Sequence, residues 1–165
     1  MNAGAYGSEI GTFVSSVTWV DSNGVVHASE RESLEFSYRH SYFMNNFGVV
    51  CQVTLQCQRG DSASIQALMR DLDGRRREKQ PLEYPSAGST FKRPEGYFAG
   101  KLIEDCGLKG FSVGGACVSE KHAGFVINKK DATASDVRQL IEAVTNIVKE
   151  KTGVLLEPEI RFLED

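Results

Sequence analysis

Phe13–His27 reads FVSSVTWVDSNGVVH, two apolar stretches joined by the turn-forming residues Asp21–Gly24. β-Branched and aromatic residues favour strands, and an Asn-Gly pair between two such stretches is the strongest short-range signal of a β-hairpin. Further along, Val49–Gln58 alternates apolar and polar side chains, as expected for a third strand. The first part of the chain is therefore predicted to be β-rich.

The strand pattern stops at Gly60–Ser62, where an aspartate and a serine are both suited to cap a helix that continues to about Asp73. We place a domain boundary at this break in the pattern. The predicted domains are residues 1–60 and residues 61–165.

The second part of the chain mixes helices with short strands. Apolar residues follow helical spacing from the capping pair Thr133 and Asp136 to Gly153, which predicts a long amphipathic helix. The other predicted elements are a short helix over Phe98–Gly107 and strands over Gly110–Val118, Gly124–Asn128 and Val154–Leu163. The predicted fold class is α+β.

Charge is unevenly distributed along the 165 residues. The net charge of −3 argues against a general nucleic-acid binder. Arg70–Lys101, however, holds eight cations and five carboxylates and is therefore +3, which leaves −6 for the rest of the chain. A site for an anionic ligand is accordingly predicted in that segment.

The sequence favours a cytoplasmic protein. No apolar stretch approaches the roughly 20 residues needed to cross a bilayer, and no secretory signal is apparent. The four cysteines lack the spacing of a metal site, so no metal is predicted. Cys51 and Cys57 alternate in step with the apolar residues of the third strand and are predicted to lie on its apolar face. All four cysteines are predicted to be buried free thiols, and a disulfide or metal role is the less favoured alternative.

Two segments are typical of ligand loops. Pro85–Pro94 (PSAGSTFKRP) combines a flexible glycine, three hydroxyls and a pair of cations that suit phosphate or carboxylate. Asn2–Gly7 (NAGAYG) is a small-residue loop that would let its backbone approach a flat or anionic ligand. The plain alternatives are an ordinary polar turn and a disordered terminus.

Five segments, in the same order as in the family, resemble bacterial UDP-N-acetylenolpyruvoylglucosamine reductases, the flavoenzymes of peptidoglycan precursor synthesis. The resemblance covers nearly the whole chain, and it implies an NADPH- and FAD-dependent oxidoreductase. The segments are Asn2–Gly7, Tyr38–Ser41, Pro85–Pro94, Gly114–Ala116 with Ser119–Ala123, and Leu156–Ile160.

The resemblance also assigns the predicted domains. Residues 1–60 are similar to the end of the family's FAD-binding domain, and residues 61–165 to its domain for the UDP-sugar substrate. The glycine-rich segment that holds the flavin diphosphate in the family has no counterpart here. The chain is thus expected to need an N-terminal FAD-binding portion as its partner, and to be inactive and without stable FAD when isolated.

The family's chemistry implies three catalytic residues. Hydride addition to the enolpyruvyl group pushes charge into the substrate carboxylate, which must be stabilised, and a proton must follow. By resemblance, Arg39 holds that carboxylate, Ser89 donates the proton, and Glu159 organises the pair or donates to the carboxylate when protonated. Without the resemblance, Arg39 would be interpreted as a surface arginine, Ser89 as a turn serine that bonds to the backbone, and Glu159 as an exposed strand glutamate.

Ligand-binding residues follow from the same resemblance. Tyr38, Lys79, Lys92, Arg93 and His122 are candidates for the UDP-sugar enolpyruvate. Asn2, Ala3, Gly4, Ala5, Tyr6 and Gly7 are expected near FAD, mostly through backbone contacts.

Two other functions stay open from the residues alone. The first is a non-catalytic nucleotide- or phosphate-binding module built from residues 61–165, which needs neither Arg39 nor a flavin. The second is a binder of single-stranded nucleic acid that uses Arg75–Arg77 and nearby aromatic rings. The overall negative charge disfavours the second, and neither nucleic acid nor a membrane is a predicted partner.

Overall fold

The computed structural model describes residues 1–162, and within them the fold is α+β as predicted. The chain divides into two compact units, Met1–Ser62 and Ala63 onward. The strands are β1 (Gly4–Ala5), β2 (Ser8–Glu9), β3 (Val14–Val20), β4 (Val26–Glu30), β5 (Val49–Leu55), β6 (Ser86–Ser89), β7 (Ser112–Val113), β8 (Ala116–Val118) and β9 (Phe125–Asn128). The α-helices are α1 (Ser62–Lys79), α2 (Ala99–Asp105) and α3 (Ala134–Thr152). Each helix within residues 1–162 is too short or too polar to span a bilayer.

The first unit is organised around the predicted hairpin, which is confirmed. β3 and β4 pair antiparallel, and their turn is fixed by Asp21, whose Oδ1 accepts from the backbone N–H groups of Asn23 at 2.8 Å and Val25 at 3.0 Å. β5 pairs with the other edge of β3, so the sheet order is β4-β3-β5. A small core forms over β3 from Val14, Val17, Trp19 and Leu34, with partly buried aromatic rings around it.

The prediction for the cysteines is half wrong. Cys106 and Cys117 are buried, but Cys51 and Cys57 are exposed. Cys51 lies in β5, an edge strand with all seven residues exposed, and Cys57 follows the end of that strand. Alternating side chains therefore identified the strand correctly, although they did not indicate whether its apolar face is covered.

In the second unit, two helices pack against a four-stranded antiparallel sheet of order β6-β9-β8-β7. Helix α3 confirms the prediction: Thr133 and Asp136 form a capping box, and Gly153 ends the helix at φ +76°. Its apolar face joins α2 and the sheet in a closed core. The buried members from the helices are Ala99, Leu102, Ile103, Leu140, Ile141, Val144 and Val148.

Three predicted elements differ from the structure. Helix α1 continues to Lys79, six residues past the predicted end, supported by ion pairs between residues four apart. Gly110–Val118 is a hairpin, because Gly114 turns the chain at φ +54° between β7 and β8. Val154–Leu163 is not a continuous strand: up to residue 162 it makes a single bridge, at Pro158, whose ring nitrogen cannot donate. Leu163 lies outside the described residues.

Candidate active site

Ser89 and Glu159 lie on neighbouring backbone segments of the second unit. Strand β6 ends at Ser89, and the chain then pairs antiparallel with the segment around Pro158, which is bridged to Phe91. The N–H of Lys92 donates to the Glu157 carbonyl at 2.8 Å, and the N–H of Glu159 donates to the Thr90 carbonyl at 2.8 Å. Glu159 is therefore fixed beside the residue that follows Ser89.

Thr90 joins three segments at this point. Its side chain is 1% exposed, and its Oγ1 accepts from the Val126 N–H at 2.9 Å. Its own N–H donates to the Gly124 carbonyl at 2.8 Å, while its carbonyl accepts from Glu159. Sequence reasoning treated Thr90 only as one hydroxyl of a polar loop, because no local pattern indicates partners more than 30 residues away.

The Ser89 hydroxyl is exposed and only loosely held. Gly88 precedes it at φ +89°, a conformation that favours glycine. Ser89 Oγ donates to the Phe91 carbonyl at 3.4 Å, a long and therefore weak hydrogen bond. Ser89 thus makes the local contact expected of a turn serine, and its hydroxyl remains accessible to a ligand.

Arg39 belongs to the first unit. The turn Ser37–His40 places Tyr38 and Arg39 at its tip, where Arg39 adopts φ +54° and its guanidinium lies 5.2 Å from the centroid of the Tyr38 ring. A left-handed conformation costs a non-glycine residue about 1–2 kcal/mol, so this backbone strain is a feature typical of functional sites. Among the predicted catalytic residues, Ser89 and Glu159 are thus brought together in one unit, and Arg39 lies in the other.

The Asn2–Gly7 loop is a small hairpin next to Arg39. β1 and β2 pair through a turn at Tyr6 and Gly7, both at positive φ, and a Cβ on Gly4 would lie 3.4 Å from Nη1 of Arg39. Asn2 is buried: its amide nitrogen donates to Glu9 and to the Ser37 carbonyl, and its oxygen accepts from Gly11. Asn2 therefore anchors the loop.

The exposed part of this loop carries mostly small side chains. The exposed residues of the loop include Ala3, Ala5, Tyr6 and Gly7, and all of these except Tyr6 have a small side chain or none. The peptide groups at Ala3, Ala5 and Gly7 are therefore not shielded by bulky side chains of their own.

Several cations of the basic segment make ion pairs with carboxylates. Arg75 and Arg77 pair with aspartates four residues earlier in α1, and Lys79 lies in the last turn of that helix. Lys92 pairs with Glu157 at 3.1 Å. The Arg93 guanidinium lies 3.9 Å from the centroid of the Phe98 ring, which orients it by a cation–π contact.

His122 stabilises the loop behind Thr90. Its Nδ1 accepts from the Gly124 N–H at 3.1 Å, and its ring packs edge-on against Phe125. Burial lowers the pKa of His122, which favours the neutral form able to accept this hydrogen bond. Since the Gly124 carbonyl accepts from Thr90, His122 helps to position the chain at Ser89.

The Gly114–Ala116 motif has a packing role in the structure. A Cβ on Gly115 would collide with the Lys130 carbonyl, so only glycine permits this close approach. The Gly115 N–H donates to Asp136 at 3.4 Å, and backbone N–H contacts from Thr133 and Gly115 lower the pKa of that carboxyl. The motif thus joins the hairpin to the start of α3.

A groove of about 800 Å³ in the first unit is lined by residues 12–15, 30–32 and 56–58. These lining residues include none of the predicted catalytic or ligand-binding positions.

Comparison with known proteins agrees with the fold and with the five sequence segments. Residues 80–163 match the family described as UDP-N-acetylenolpyruvoylglucosamine reductase, C-terminal domain. The reductase of that name from Lachnoclostridium phytofermentans is 56% identical over 163 residues, which cover 99% of this chain and 53% of that protein. The one from Caldanaerobacter subterraneus subsp. tengcongensis is 52% identical, covering 99% of this chain and 54% of its own length.

A solved structure agrees as well. The crystal structure of the UDP-N-acetylenolpyruvylglucosamine reductase from Thermus caldophilus superposes with a TM-score of 0.82 at 33% identity, covering 98% of this chain and 57% of that one. Fold and sequence therefore point to one class of protein, the reductases. The chain belongs to the UDP-N-acetylenolpyruvoylglucosamine reductase family. It spans about half the length of the curated relatives that it matches.

Proposed function

We propose that this chain supplies the C-terminal half of an FAD- and NADPH-dependent reductase that converts UDP-N-acetylglucosamine enolpyruvate into UDP-N-acetylmuramate. The observation that carries the proposal is the pairing of Thr90–Lys92, which directly follow Ser89, with the Glu157–Glu159 segment, in a chain that belongs to this family. Residues 1–60 would complete a flavin-binding domain, and residues 61–165 would bind the UDP-sugar. NADPH is the proposed reductant, and the cytoplasm is the proposed compartment.

The three catalytic residues have complementary roles. The loop over Ala3–Gly7 would hold FAD, and a flavin reduced by NADPH would supply the hydride for the terminal carbon of the enolpyruvyl double bond. Arg39 would hold the substrate carboxylate, into which the resulting negative charge spreads. The Ser89 hydroxyl would give its proton to the carbon beside that carboxylate, so that one hydride and one proton add across the double bond.

Serine is a weak acid, so Ser89 needs help to give up its proton. Glu159 is half-buried and fixed by its backbone next to Thr90, from where its carboxyl would organise the site or donate to the substrate carboxylate. The exposure of Ser89 leaves room for water, from which the hydroxyl would recover its proton. The loop over Ala3–Gly7 would contact FAD, with Asn2 holding it in place.

The UDP group would be held by cations close to Ser89 in the chain. The Lys92–Glu157 pair is exposed on both sides, at 40% and 66%, and such pairs contribute little to stability. Lys92 can therefore exchange its partner for phosphate at little cost. Arg93, Lys79, Tyr38 and His122 complete the proposed substrate contacts.

The test is complementation with an N-terminal partner. We would co-express this chain with the N-terminal half of the Lachnoclostridium phytofermentans reductase, then measure flavin absorbance and NADPH consumption that depends on the UDP-sugar enolpyruvate. Ser89→Ala is expected to keep flavin and its reduction by NADPH, while turnover of the substrate falls by about 10²–10⁴-fold.

Ser86→Ala, in the same exposed strand, is the matched control and should retain activity. Unchanged substrate turnover in Ser89→Ala would overturn the assigned role of Ser89. Absence of flavin and turnover from the co-expressed complex would overturn the proposed reductase.

The non-catalytic nucleotide-binding module remains a second candidate, favoured by the core of the second unit, which is formed by that unit's own residues. Titration with UDP separates the two. Binding of UDP by a complex that retains no flavin and reduces no substrate would favour the module.

A further inference from the structure

The pairing of β6 with β9 contains a bulge directly before Ser89. Ser86 pairs with Ile127 and Ser89 pairs with Phe125, so two residues of β6 stand opposite a single residue of β9 between these pairs. One extra residue in one of two paired strands is a β-bulge, which bends the strand, changes the direction of a side chain and is common beside active sites. The irregularity in β6 is therefore a candidate for a functional feature.

The bulge decides on which face of the sheet Ser89 lies. Paired residues of antiparallel strands share one face, and successive residues of a strand alternate between the faces. Val126 joins the core formed with α2 and α3, so its neighbour Phe125 and the paired Ser89 lie on the other face. In a regular pairing Gly88 would stand opposite Phe125, and Ser89 would point towards the helices. The extra residue thus turns the Ser89 side chain away from the core, and Ser89 is exposed.

The Thr90 hydroxyl closes the bulge. Before the bulge, the Asn128 N–H donates to the Pro85 carbonyl at 2.8 Å. After it, the Thr90 N–H donates to the Gly124 carbonyl at 2.8 Å. Opposite the bulge itself, the buried Val126 N–H donates to Thr90 Oγ1 at 2.9 Å. Because a buried N–H without an acceptor is costly, this hydrogen bond favours the bulged register over the regular one.

Gly88 supplies the backbone conformation at the bulge. It adopts φ +89°, where a residue with a side chain would be strained. A Cβ built on Gly88 would meet no described heavy atom within 4 Å, so the need for glycine is conformational rather than steric. Gly107, which follows α2, is similar in both respects, with φ +74° and open space at its Cβ position. Alanine at either position therefore imposes a similar backbone strain, which makes Gly107 a matched control.

We propose that the bulge in β6, closed by the Thr90 hydroxyl, positions the Ser89 hydroxyl on the exposed face of the sheet. Thr90 is accordingly a positioning residue, which acts through the backbone at Ser89 rather than on the substrate. Its effect on turnover rests on the proposed function of Ser89, whereas its effect on geometry is measurable without flavin or substrate.

The first experiment measures the direction of side chain 89 in this chain alone. Ser89→Cys is treated with iodoacetamide, and labelling at each cysteine is followed by mass spectrometry, with the exposed Cys51 and Cys57 as internal standards. Position 89 should be labelled at a rate similar to theirs. With Thr90→Val added, labelling there should slow by about tenfold or more, because a one-residue change of register turns the side chain to the covered face. With Thr90→Ser added, which keeps the hydroxyl, the rate should be retained.

The second experiment measures turnover in the complex with the N-terminal half of the Lachnoclostridium phytofermentans reductase. Thr90→Val should lower kcat for the UDP-sugar enolpyruvate, expressed per bound flavin, by about 10–100-fold, because a small misplacement of a reacting group is sufficient for such a loss. KM for this substrate and the rate of flavin reduction by NADPH should stay within about twofold of the wild-type values. Thr90→Ser should restore kcat. A loss of stability alone would reduce flavin content and activity together and leave kcat per flavin unchanged.

Gly88→Ala tests the bulge without altering the Thr90 side chain. It should lower kcat per flavin by about tenfold or more, while Gly107→Ala retains it. The proposal is overturned if Thr90→Val leaves labelling at position 89 unchanged or faster, if Thr90→Val retains kcat per flavin, or if the two glycine variants lose turnover equally. A wild-type complex without turnover would instead overturn the proposed reductase, and the labelling rates would still decide whether Thr90 sets the direction of side chain 89.

Discussion

In the second unit, helices α2 and α3 close a core against a four-stranded sheet, whereas in the first unit short segments cover only part of a three-stranded sheet. Leu140, Val144 and Val148 of α3 are all 0% exposed, but every residue of β5 is exposed. Since burial of apolar surface supplies most of the stabilising free energy, the second unit is expected to be stable from its own residues. The first unit, by contrast, carries more apolar side chains than its core buries.

The largest expected effect comes from one substitution made in each unit. Leu140→Ala and Leu34→Ala each truncate a fully buried leucine. Leu140→Ala should lower the free energy of unfolding of the second unit by about 2–5 kcal/mol, because its closed core leaves a cavity. Leu34→Ala should cost less, because the open core of the first unit is free to collapse around the gap.

Urea unfolding followed by two signals measures the difference. Trp19, the single tryptophan, reports on the first unit by fluorescence, and far-ultraviolet circular dichroism reports mainly on the helices of the second. We expect the fluorescence transition at lower urea. If the two transitions coincide and both variants shift them equally, the two units unfold as one cooperative core. That result would contradict the comparison.

The next effect tests how the second unit holds its predicted site. Thr90→Val keeps the shape of the side chain but leaves the buried Val126 N–H without its acceptor. The free energy of unfolding should fall by about 1–3 kcal/mol. Thr90→Ser, which keeps the hydroxyl but loses the methyl group, is the control. A loss in Thr90→Val no larger than the loss in Thr90→Ser would contradict the prediction, because the hydrogen bond would then contribute no more than the methyl contact.

Helix capping should have a smaller effect, again confined to the second unit. Thr133→Ala removes the side chain that accepts from the Asp136 N–H at the start of α3. The expected cost is about 1 kcal/mol, seen in the circular-dichroism transition and absent from the Trp19 transition. Thr133→Ser should restore most of the stability; a shift of the fluorescence transition instead would show that the units unfold together.

The smallest effect is a pH dependence carried by His122. Its pKa is lowered from 6.5 by burial, so the stability it contributes is fully present above its ordinary pKa and is lost as the pH falls through the lowered pKa. Thermal unfolding between about pH 8 and pH 5 should show a larger acid destabilisation in the wild type than in His122→Phe. Identical pH profiles would assign the acid sensitivity to other groups.

Local chemistry made several elements predictable. The turn at Asp21–Gly24 is fixed by one aspartate side chain and one glycine. Helix α3 begins at the capping pair and ends at Gly153 as expected. In both cases the deciding contacts lie within four residues along the chain, so the pattern contains the information. The end of α1 was missed because its arginines were considered without the aspartates four residues earlier.

The sequence by itself determined the α+β class, the main hairpin, helix α3 and, through five ordered segments, the family. Only the tertiary structure decided that Glu159 is fixed beside Ser89 through Thr90, and that Cys51 and β5 face solvent. The physical reason is range: turns and caps depend on neighbours in the chain, whereas strand pairing and burial depend on residues tens of positions away. An alternating apolar pattern specifies which face of a strand favours burial, and the rest of the fold determines whether other residues pack on that face.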